Sequence, residues 1–423
     1  MLSNLLSLDN KCLERICSFL STRSLVRFAK VCPRLYDIVQ GHCISRYKTC
    51  EFFNVSKMTL PEIVRFFLLA GAGIESLERY AAIKHRDIVI DLMATYCPQM
   101  KTLVLINCDL DDNSMSILKN LKTLQTLTLA SSARLTGKHI NNLVHLTHLN
   151  LYNCSNMRTS HLIQIFKDVP NLRALDMREC RQMTPELFTE MVKYCKQLEV
   201  LKTSCPEFPY SCVAILPNLK ELVLSEYIPG ATTQIVLLQE LVANKAKQLE
   251  VLEIYSENSL NFEHVSLISK LKHLKVLNVA NNQVVNDDAL VKFGKLKQLE
   301  VLTIRRCVSI TNQGVLKLLQ SCSLLYRLNV QYCTKITNEF VINVIPVLSD
   351  NRSHNRKKPF LLLVDPELLD EKTLALFKQY TIAVKEFLIK IDTEMSESDL
   401  AYGPYWKKRP LSDGEDSDET SRD

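Results

Sequence analysis

The sequence has 423 residues, of which 47% are apolar, enough for a large buried core and for two or three domains. Lys and Arg number 52 against 46 Asp and Glu, and this surplus of 6 is too small for a nucleic-acid-binding surface. The amino terminus lacks a basic start, and the longest apolar stretch, at 66–74, is too short to span a bilayer. We therefore expect a soluble, intracellular protein, cytoplasmic or nuclear, that binds neither nucleic acid nor membrane.

The reactive residue types form no recognisable catalytic or metal site. The fifteen cysteines are odd in number and include no C-x-x-C pair, which argues against both disulfides and zinc. Adjacent residues on a helix do not face each other, so His42 and Cys43 do not make a Cys/His dyad. Glycine-rich phosphate loops, H-E-x-x-H and G-x-S-x-G are missing from the sequence. We expect no metal, no cofactor and no catalytic activity of the chain's own.

Residues 8–47 contain three groups of apolar residues at helical spacing. The groups are Leu13, Ile16 and Leu20; Leu25, Phe28 and Val31; and, after Pro33, Leu35, Ile38 and Val39. The pattern predicts three short helices. A segment of about forty residues makes only a marginal core, so a partner is expected to complete it.

This segment resembles an F-box, the adaptor-binding helix cluster of SCF-type ubiquitin ligases, in the stretches LDNKCLERICSFL, STRSLVRF and VCPRLY. The resemblance implies that a Skp-type adaptor binds here and connects the chain to a cullin. Asp9 and Lys11 stand where the family usually has a proline and an acidic residue, and Tyr36 replaces the usual tryptophan. The alternative is a helical cap on the open end of the next domain. The residues implied in adaptor binding are Leu8, Leu13, Ile16, Phe19, Leu20, Leu25, Val31, Cys32, Leu35 and Tyr36.

A connector at 48–73 follows, with a helix predicted from Pro61 through Phe67 and no flexible hinge. From there to residue 350 the apolar spacing L-x-x-L-x-L recurs in ten copies, and a degenerate copy starts at Ile74. Successive starts differ by 24, 22, 26, 26, 21, 30, 25, 25 and 26 residues, mostly within the roughly 20 to 29 of leucine-rich repeats. The ten copies start at Met100, Leu124, Leu146, Leu172, Leu198, Leu219, Leu249, Leu274, Leu299 and Leu325.

We count places within a copy from its first apolar residue. Place nine is held by Cys108, Cys154, Cys180, Cys307 and Cys333, and in one copy by Asn282. A small thiol fits a tight buried turn, and packing also accounts for Cys97, Cys195 and Cys322 before their copies. Threonine follows in four copies and predicts a helix start at Thr136, Thr184, Thr311 and Thr337. Each repeat is therefore expected to be strand, turn and helix.

The copies that have cysteine at place nine and then the sequence SIT or KIT resemble the cysteine-containing leucine-rich repeats of F-box proteins. The expected fold is an α/β leucine-rich-repeat solenoid, with a curved parallel sheet inside and helices outside, preceded by a small all-α three-helix segment. We divide the chain into adaptor-binding helices (1–47), the connector (48–73), the solenoid (74–350), a capping segment with a final strand at 359–366 (351–400) and a disordered acidic tail (401–423).

The leading hypothesis is a substrate receptor of an SCF-type ubiquitin ligase, in which the amino-terminal helices hold the adaptor and the solenoid holds a target protein. Transfer of ubiquitin would belong to other subunits. The alternative is a leucine-rich-repeat scaffold or inhibitor unrelated to ubiquitin.

Places three, five and seven of each strand should face the concave side, with place eight at its edge. In the repeats from Leu172 to Leu249 these places are mainly acidic, whereas in the last two they are basic with one aromatic residue. We therefore expect the carboxy-terminal end of the concave face, near the basic residues Arg352, Arg356, Lys357 and Lys358, to bind an acidic or phosphorylated segment of the target. The alternatives are a merely solvated face and occupation by the chain's own tail at 413–419. The candidate target-binding residues are Arg305, Arg306, Arg327, Gln331, Tyr332, Arg178 and Tyr255.

Overall fold

The computed structural model describes residues 5, 7–51, 58–80, 86–204, 208–225, 233–350, 360–373, 375 and 389–392. The predicted acidic tail at 401–423 lies outside the described residues, as do Arg352, Arg356, Lys357 and Lys358 and much of the predicted capping segment.

The described strands lie in one parallel sheet of 14 strands, and their order in the sheet is their order in the chain. The leucines at place four pair in register from strand to strand, as Leu277, Leu302 and Leu328 do, and all three are fully buried. The predicted solenoid is confirmed. The strands are β1 (Thr49–Glu51), β2 (Ser76–Tyr80), β3 (Thr102–Ile106), β4 (Thr126–Thr128), β5 (His148–Asn150), β6 (Ala174–Met177), β7 (Val200–Ser204), β8 (Glu221–Ser225), β9 (Val251–Tyr255), β10 (Val276–Asn278), β11 (Val301–Thr303), β12 (Arg327–Asn329), β13 (Phe360–Leu363) and β14 (Ile389–Asp392).

The helices between the strands bury one face against the sheet and pack against the helices of neighbouring repeats. The α-helices are α1 (Asn10–Phe19), α2 (Thr22–Phe28), α3 (Pro33–Arg46), α4 (Leu60–Ala70), α5 (Arg86–Tyr96), α6 (Thr159–Asp168), α7 (Pro185–Tyr194), α8 (Ile235–Lys245), α9 (Phe262–Ile268), α10 (Asp287–Phe293), α11 (Asn312–Ser321) and α12 (Asn338–Asp350).

The prediction that every repeat contains a helix is wrong for one repeat, and in two others the helix is a short 3₁₀-helix instead of an α-helix. Those starting at Met100 and Leu198 contain short 3₁₀-helices, Ser114–Asn120 and Ser211–Ile215, and the one starting at Leu124 contains no helix. These three repeats are the shortest, with only 24, 21 and 22 residues between their start and the start of the next repeat. A short repeat leaves too few residues after its strand and turn to wind an α-helix and still reach the next strand.

The threonine signal for helix starts holds where a helix is present. The hydroxyl groups of Thr184 and Thr311 accept hydrogen bonds from the N–H groups of Leu187 and Gly314. Thr136 lies in the repeat without a helix, so its expected capping role is wrong.

The three predicted amino-terminal helices are confirmed as α1, α2 and α3. Asp9 caps α1 by accepting a hydrogen bond from the N–H of Cys12 at 2.7 Å, and Ser21 caps α2 in the same way through Ser24. Pro33 occupies the first turn of α3, where its missing N–H costs nothing.

The sheet extends beyond the counted repeats at both ends. β1 lies inside the connector and pairs with β2, which lies within the degenerate copy that starts at Ile74. The strand predicted at 359–366 is confirmed as β13, which pairs with β12, but it is not the final strand, because β14 pairs with its other edge. The solenoid sheet therefore starts directly after α3 and continues past residue 350.

Candidate adaptor and target surfaces

The residues implied in adaptor binding divide into two groups. The side chains of Leu13, Leu25 and Leu35 are fully enclosed within the helix cluster, so the role left to them is to hold the cluster together. Phe19 and Val31 instead expose 74% and 47% of their surface. Leu8, Ile16, Leu20, Cys32 and Tyr36 are half-buried.

Exposed apolar side chains on such a small cluster indicate a surface for a partner. Phe19 lies at the end of α1, with the Arg15 guanidinium 4.9 Å from its ring centroid. At the other end of α1, the guanidinium of Arg34 donates hydrogen bonds to the carbonyl oxygen of Leu8 and to the Oδ1 atom of Asn10, at 2.7 and 2.8 Å. The beginning of α1 is thus tied to α3.

The helix cluster is joined to the solenoid by an apolar contact and an ionic contact. The rings of Tyr47 and Phe66 meet edge to face, 5.2 Å apart between centroids. Glu62 on α4 accepts hydrogen bonds from the Nε atoms of Arg23 and Arg27 on α2, at 3.1 and 2.9 Å. No sequence pattern pointed to Glu62, since its partners are more than thirty residues away in the chain.

On the concave side, place eight takes the left-handed backbone conformation in most repeats. The φ angle lies near 60° at Glu179, Asn281, Arg306 and Tyr332, among others. The N–H groups of Asn281 and Arg306 donate to place-seven carbonyl oxygens of the following repeats, those of Arg305 and Gln331, at 2.8 and 2.9 Å. These backbone hydrogen bonds between successive repeats fix the positions of the Cα atoms from which the side chains at the edge of the concave face extend.

The buried turn behind this edge explains the cysteines. The thiol of Cys154 donates to the carbonyl oxygen of Leu129 at 3.1 Å, and that of Cys333 donates to the carbonyl oxygen of Ile304 at 3.1 Å. Burial raises the pKa of both thiols to about 12, so neither is a thiolate near neutral pH. The Asn282 side chain replaces the thiol in its repeat and bonds several backbone groups. The predicted packing role of these residues agrees with the structure.

The middle of the concave face has its charges matched. Arg178 is buried and binds Asp176 through two hydrogen bonds, Nε–Oδ1 at 3.0 Å and Nη2–Oδ2 at 2.7 Å. Its guanidinium carbon also lies 5.1 Å from the ring centroid of Tyr152, a place-seven residue that sequence reasoning missed because it lies one repeat earlier. Tyr255 donates to Glu253 at 2.7 Å. Arg178 and Tyr255, both predicted to bind a target, are thus already engaged within the face.

Lys202 lies at place five between these groups and was also missed, although the same register would have found it. Burial lowers the pKa of Lys202, and Asp176 opposes the shift. Burial raises the pKa of Glu221 to about 7, and Lys202 opposes that shift. The centre of the face therefore contains carboxylate and ammonium groups with perturbed proton affinities.

The basic, carboxy-terminal end of the concave face has a different arrangement of charges from its middle. The predicted residues Arg305, Arg306 and Tyr332 come together, with the two guanidinium carbons 4.6 and 5.3 Å from the Tyr332 ring centroid. Arg327 is half-buried at place three of the neighbouring strand. Gln331 is buried and is held by Asn329, so little of it is open to a target.

Within the described ranges, no group of His, Cys, Asp and Glu side chains is arranged to hold a metal ion. No helix of the described chain is long and apolar enough to cross a membrane.

The F-box domain family matches residues 5–47 of the chain. These residues form an F-box domain. The chain thus combines an F-box with a leucine-rich-repeat solenoid, a composition that fits an F-box/leucine-rich-repeat protein. Phe19 and Val31 are therefore exposed apolar residues of an F-box, and Glu62 joins the F-box to the solenoid.

Two solved structures are similar to this chain. An internalin from Listeria monocytogenes is 16% identical, with a TM-score of 0.47 over 73% of this chain and 87% of that chain. The structure of the Rad7 and Elc1 complex in yeast is 19% identical, with a TM-score of 0.44 over 62% of this chain and 81% of that chain. The solenoid assignment rests on the continuous parallel sheet itself.

Proposed function

We propose that this chain is the substrate-recognition subunit of an SCF-type E3 ubiquitin ligase. The F-box binds a Skp-type adaptor and, through it, a cullin. The concave face of the solenoid binds the target protein, whose lysines receive ubiquitin from other subunits. The chain itself is non-catalytic in this proposal.

The observation that carries the proposal is an F-box with exposed apolar side chains that is packed onto a solenoid. Among the described large apolar residues of the F-box, Phe19 is the most exposed, and exposed aromatic residues of this kind are frequent anchors in interfaces. The contacts of Glu62 with Arg23 and Arg27 fix the F-box relative to the sheet. A fixed geometry suits a receptor, because a target held by the sheet then keeps one position relative to the adaptor.

The experiment is co-purification of the full chain with an adaptor and a cullin. We expect Phe19→Asp combined with Val31→Asp to abolish adaptor binding, because both side chains are exposed and the changes place unpaired charge in an apolar contact. Leu13→Asp is unsuitable, because Leu13 is fully buried and the change would unfold the F-box.

A matched control is Phe262→Asp on α9 of the solenoid, where the phenylalanine exposes 60% of its surface. This control should keep the adaptor. If the folded Phe19→Asp/Val31→Asp protein still binds the adaptor, the proposed F-box contact is wrong. If adaptor and cullin are both absent from complexes of the unaltered chain, the alternative of a scaffold or inhibitor with a helical cap is favoured.

A further inference from the structure

Tyr332 at the carboxy-terminal end of the concave face lies close to two guanidinium groups. The guanidinium carbons of Arg305 and Arg306 are 4.6 and 5.3 Å from its ring centroid, within the range of cation–π contact. Arg305 and Arg306 hold places seven and eight of one repeat, and Tyr332 holds place eight of the next. We call these three residues the arginine–tyrosine cluster.

The backbone holds this cluster in position. Arg306 and Tyr332 both have φ angles near 56°, so their side chains leave from the same left-handed turn in successive repeats. The N–H of Arg306 donates to the carbonyl oxygen of Gln331 at 2.9 Å, and the N–H of Tyr332 donates to both carboxylate oxygens of Asp365 at 3.0 and 2.9 Å. Asp365 is thus engaged by the backbone of the cluster.

The charges of the cluster are unmatched, in contrast to those of Arg178. Both Arg178 and Arg305 hold place seven and lie against a tyrosine, but place five of the same strand is Asp176 beside Arg178 and Thr303 beside Arg305. Among the described residues, neither Arg305 nor Arg306 is within ion-pair distance of a carboxylate. The Nε atom of Arg305 is buried and has no hydrogen-bond partner in the described part of the chain.

A buried, unpaired guanidinium N–H is costly unless a ligand accepts from it. Arginine binds phosphate and carboxylate oxygens through two parallel hydrogen bonds. A phosphoserine or phosphothreonine carries a charge of about −1.5 to −2, which matches two free guanidinium groups better than a single carboxylate does. Half of the Tyr332 surface is exposed, so the cluster is open to a segment from outside.

We propose that the arginine–tyrosine cluster binds a phosphorylated serine or threonine in an extended segment of the target. Arg305 and Arg306 bind the phosphate oxygens, and the cation–π contacts with the Tyr332 ring orient the two guanidinium groups. This assignment rests on the proposed function, since it names the kind of target segment that the receptor recognises.

The test uses the full chain, alone and mixed with the adaptor, and a fluorescent peptide pool with one phosphoserine in random flanking sequence. Two further pools carry serine or glutamate in place of phosphoserine. We expect the phosphoserine pool to raise the fluorescence anisotropy, the glutamate pool to bind more weakly and the serine pool to bind least. Arg305→Gln combined with Arg306→Gln should weaken phosphoserine binding roughly tenfold or more.

Two controls separate a site from general electrostatics. Lys122→Gln combined with Lys317→Gln removes the same net charge at exposed positions away from the cluster and should leave binding unchanged. Tyr332→Phe keeps the ring and should bind like the unaltered chain, whereas Tyr332→Ala should lose binding. Equal binding of the phosphoserine and serine pools, or an equal loss in the lysine control, overturns the proposal.

Adaptor binding is measured in the same preparations. If the adaptor binds and the phosphoserine pool does not, the phosphate site is wrong and the receptor function stands. If the pool binds and the adaptor does not, the receptor function is wrong and the anion site stands.

Discussion

Asp287 at the start of α10 holds Thr311 of the next repeat through two hydrogen bonds. Its Oδ1 atom accepts from the backbone N–H of Thr311 at 2.9 Å, and its Oδ2 atom accepts from the Thr311 hydroxyl at 2.7 Å. The same arrangement joins Asp112 to Thr136, at 3.0 and 2.6 Å. In a solenoid, where each repeat contacts only its neighbours, such a contact ties one convex turn to the next.

We expect Asp287→Ala to lower the free energy of unfolding by about 1 to 3 kcal/mol, because it leaves the N–H and the hydroxyl of Thr311 without their acceptor. Asp287→Asn should cost less, since Asn312 holds Thr337 with an amide in the same geometry. Urea denaturation of the three proteins measures the difference. Equal losses of unfolding free energy in Asp287→Ala and Asp287→Asn would show that the hydrogen bonds to Thr311 do not stabilise the chain.

The contact between Asp287 and Thr311 also depends on Gly314, whose missing side chain leaves room for the Asp287 carboxylate. A Cβ atom at this position would overlap with a carboxylate oxygen of Asp287. We expect Gly314→Ala to destabilise the chain, and Gly314→Ala combined with Asp287→Ala to cost less than the sum of the two single changes. A double-mutant cycle by urea denaturation checks this, and strict additivity contradicts it.

Leu302 is a fully buried place-four leucine, paired in register with Leu277 and Leu328. Leu302→Ala should lower the free energy of unfolding by about 2 to 5 kcal/mol by removing core packing and leaving a cavity. Hydrogen exchange should increase first in β10, β11 and β12, because coupling in a solenoid passes from neighbour to neighbour. Equal loosening of α1 to α3 in the F-box speaks against this one-dimensional coupling.

The repeats could be predicted from the sequence because buried leucines at fixed spacing leave one face of each strand apolar. Whether a repeat contains an α-helix depends on the number of residues between its start and the next start. That number is readable from the sequence, but the leucine spacing within one copy, on which the strand, turn and helix prediction rested, does not encode it. The repeats starting at Leu198 and Leu124, with 21 and 22 residues before the next start, show this, since both keep leucine at places one and four and neither contains an α-helix.

The target-binding residues were only partly predictable. Strand register puts Arg178 and Arg305 at place seven of their repeats, so the sequence predicts the same environment for both. In the structure their environments differ because their neighbours differ. Arg178 is paired with Asp176, whereas Arg305 lies beside Thr303. Register gives the direction of a side chain, but whether its charge is matched depends on residues from several strands together.

The raised pKa of Glu221, about 7 instead of an ordinary 4.5, predicts a dependence of stability on pH. The folded state holds the proton more tightly than the unfolded state, so this group lowers stability progressively as the pH rises from about 4.5 to about 7. Glu221→Gln should therefore raise the free energy of unfolding at pH 8, by up to about 3 kcal/mol, and by much less at pH 5. Urea denaturation at both values, with the exposed Glu371→Gln as a control, measures the gain; a gain that is the same at pH 5 and pH 8 contradicts the assignment.

Glu62 predicts the opposite dependence at the junction of the F-box and the solenoid. Its pKa is lowered to about 2, first by the hydrogen bond from the Thr59 N–H and then by Arg23 and Arg27. The folded pKa lies below the ordinary value of 4.5, so the stabilisation is fully present above pH 4.5 and is lost as the pH falls from there towards 2. Glu62→Gln should therefore be less stable than the unaltered chain at pH 7, and the stabilities of the two proteins should converge at low pH. If the difference in stability persists unchanged down to pH 2.5, the charge of Glu62 does not hold the junction.

Removing the partners of Glu62 tests the same junction by a second measurement. Arg23→Gln combined with Arg27→Gln should speed hydrogen exchange in α2 and α4 while leaving exchange in β11 and β12 unchanged, because the ionic contact joins only the first layers of the solenoid to the F-box.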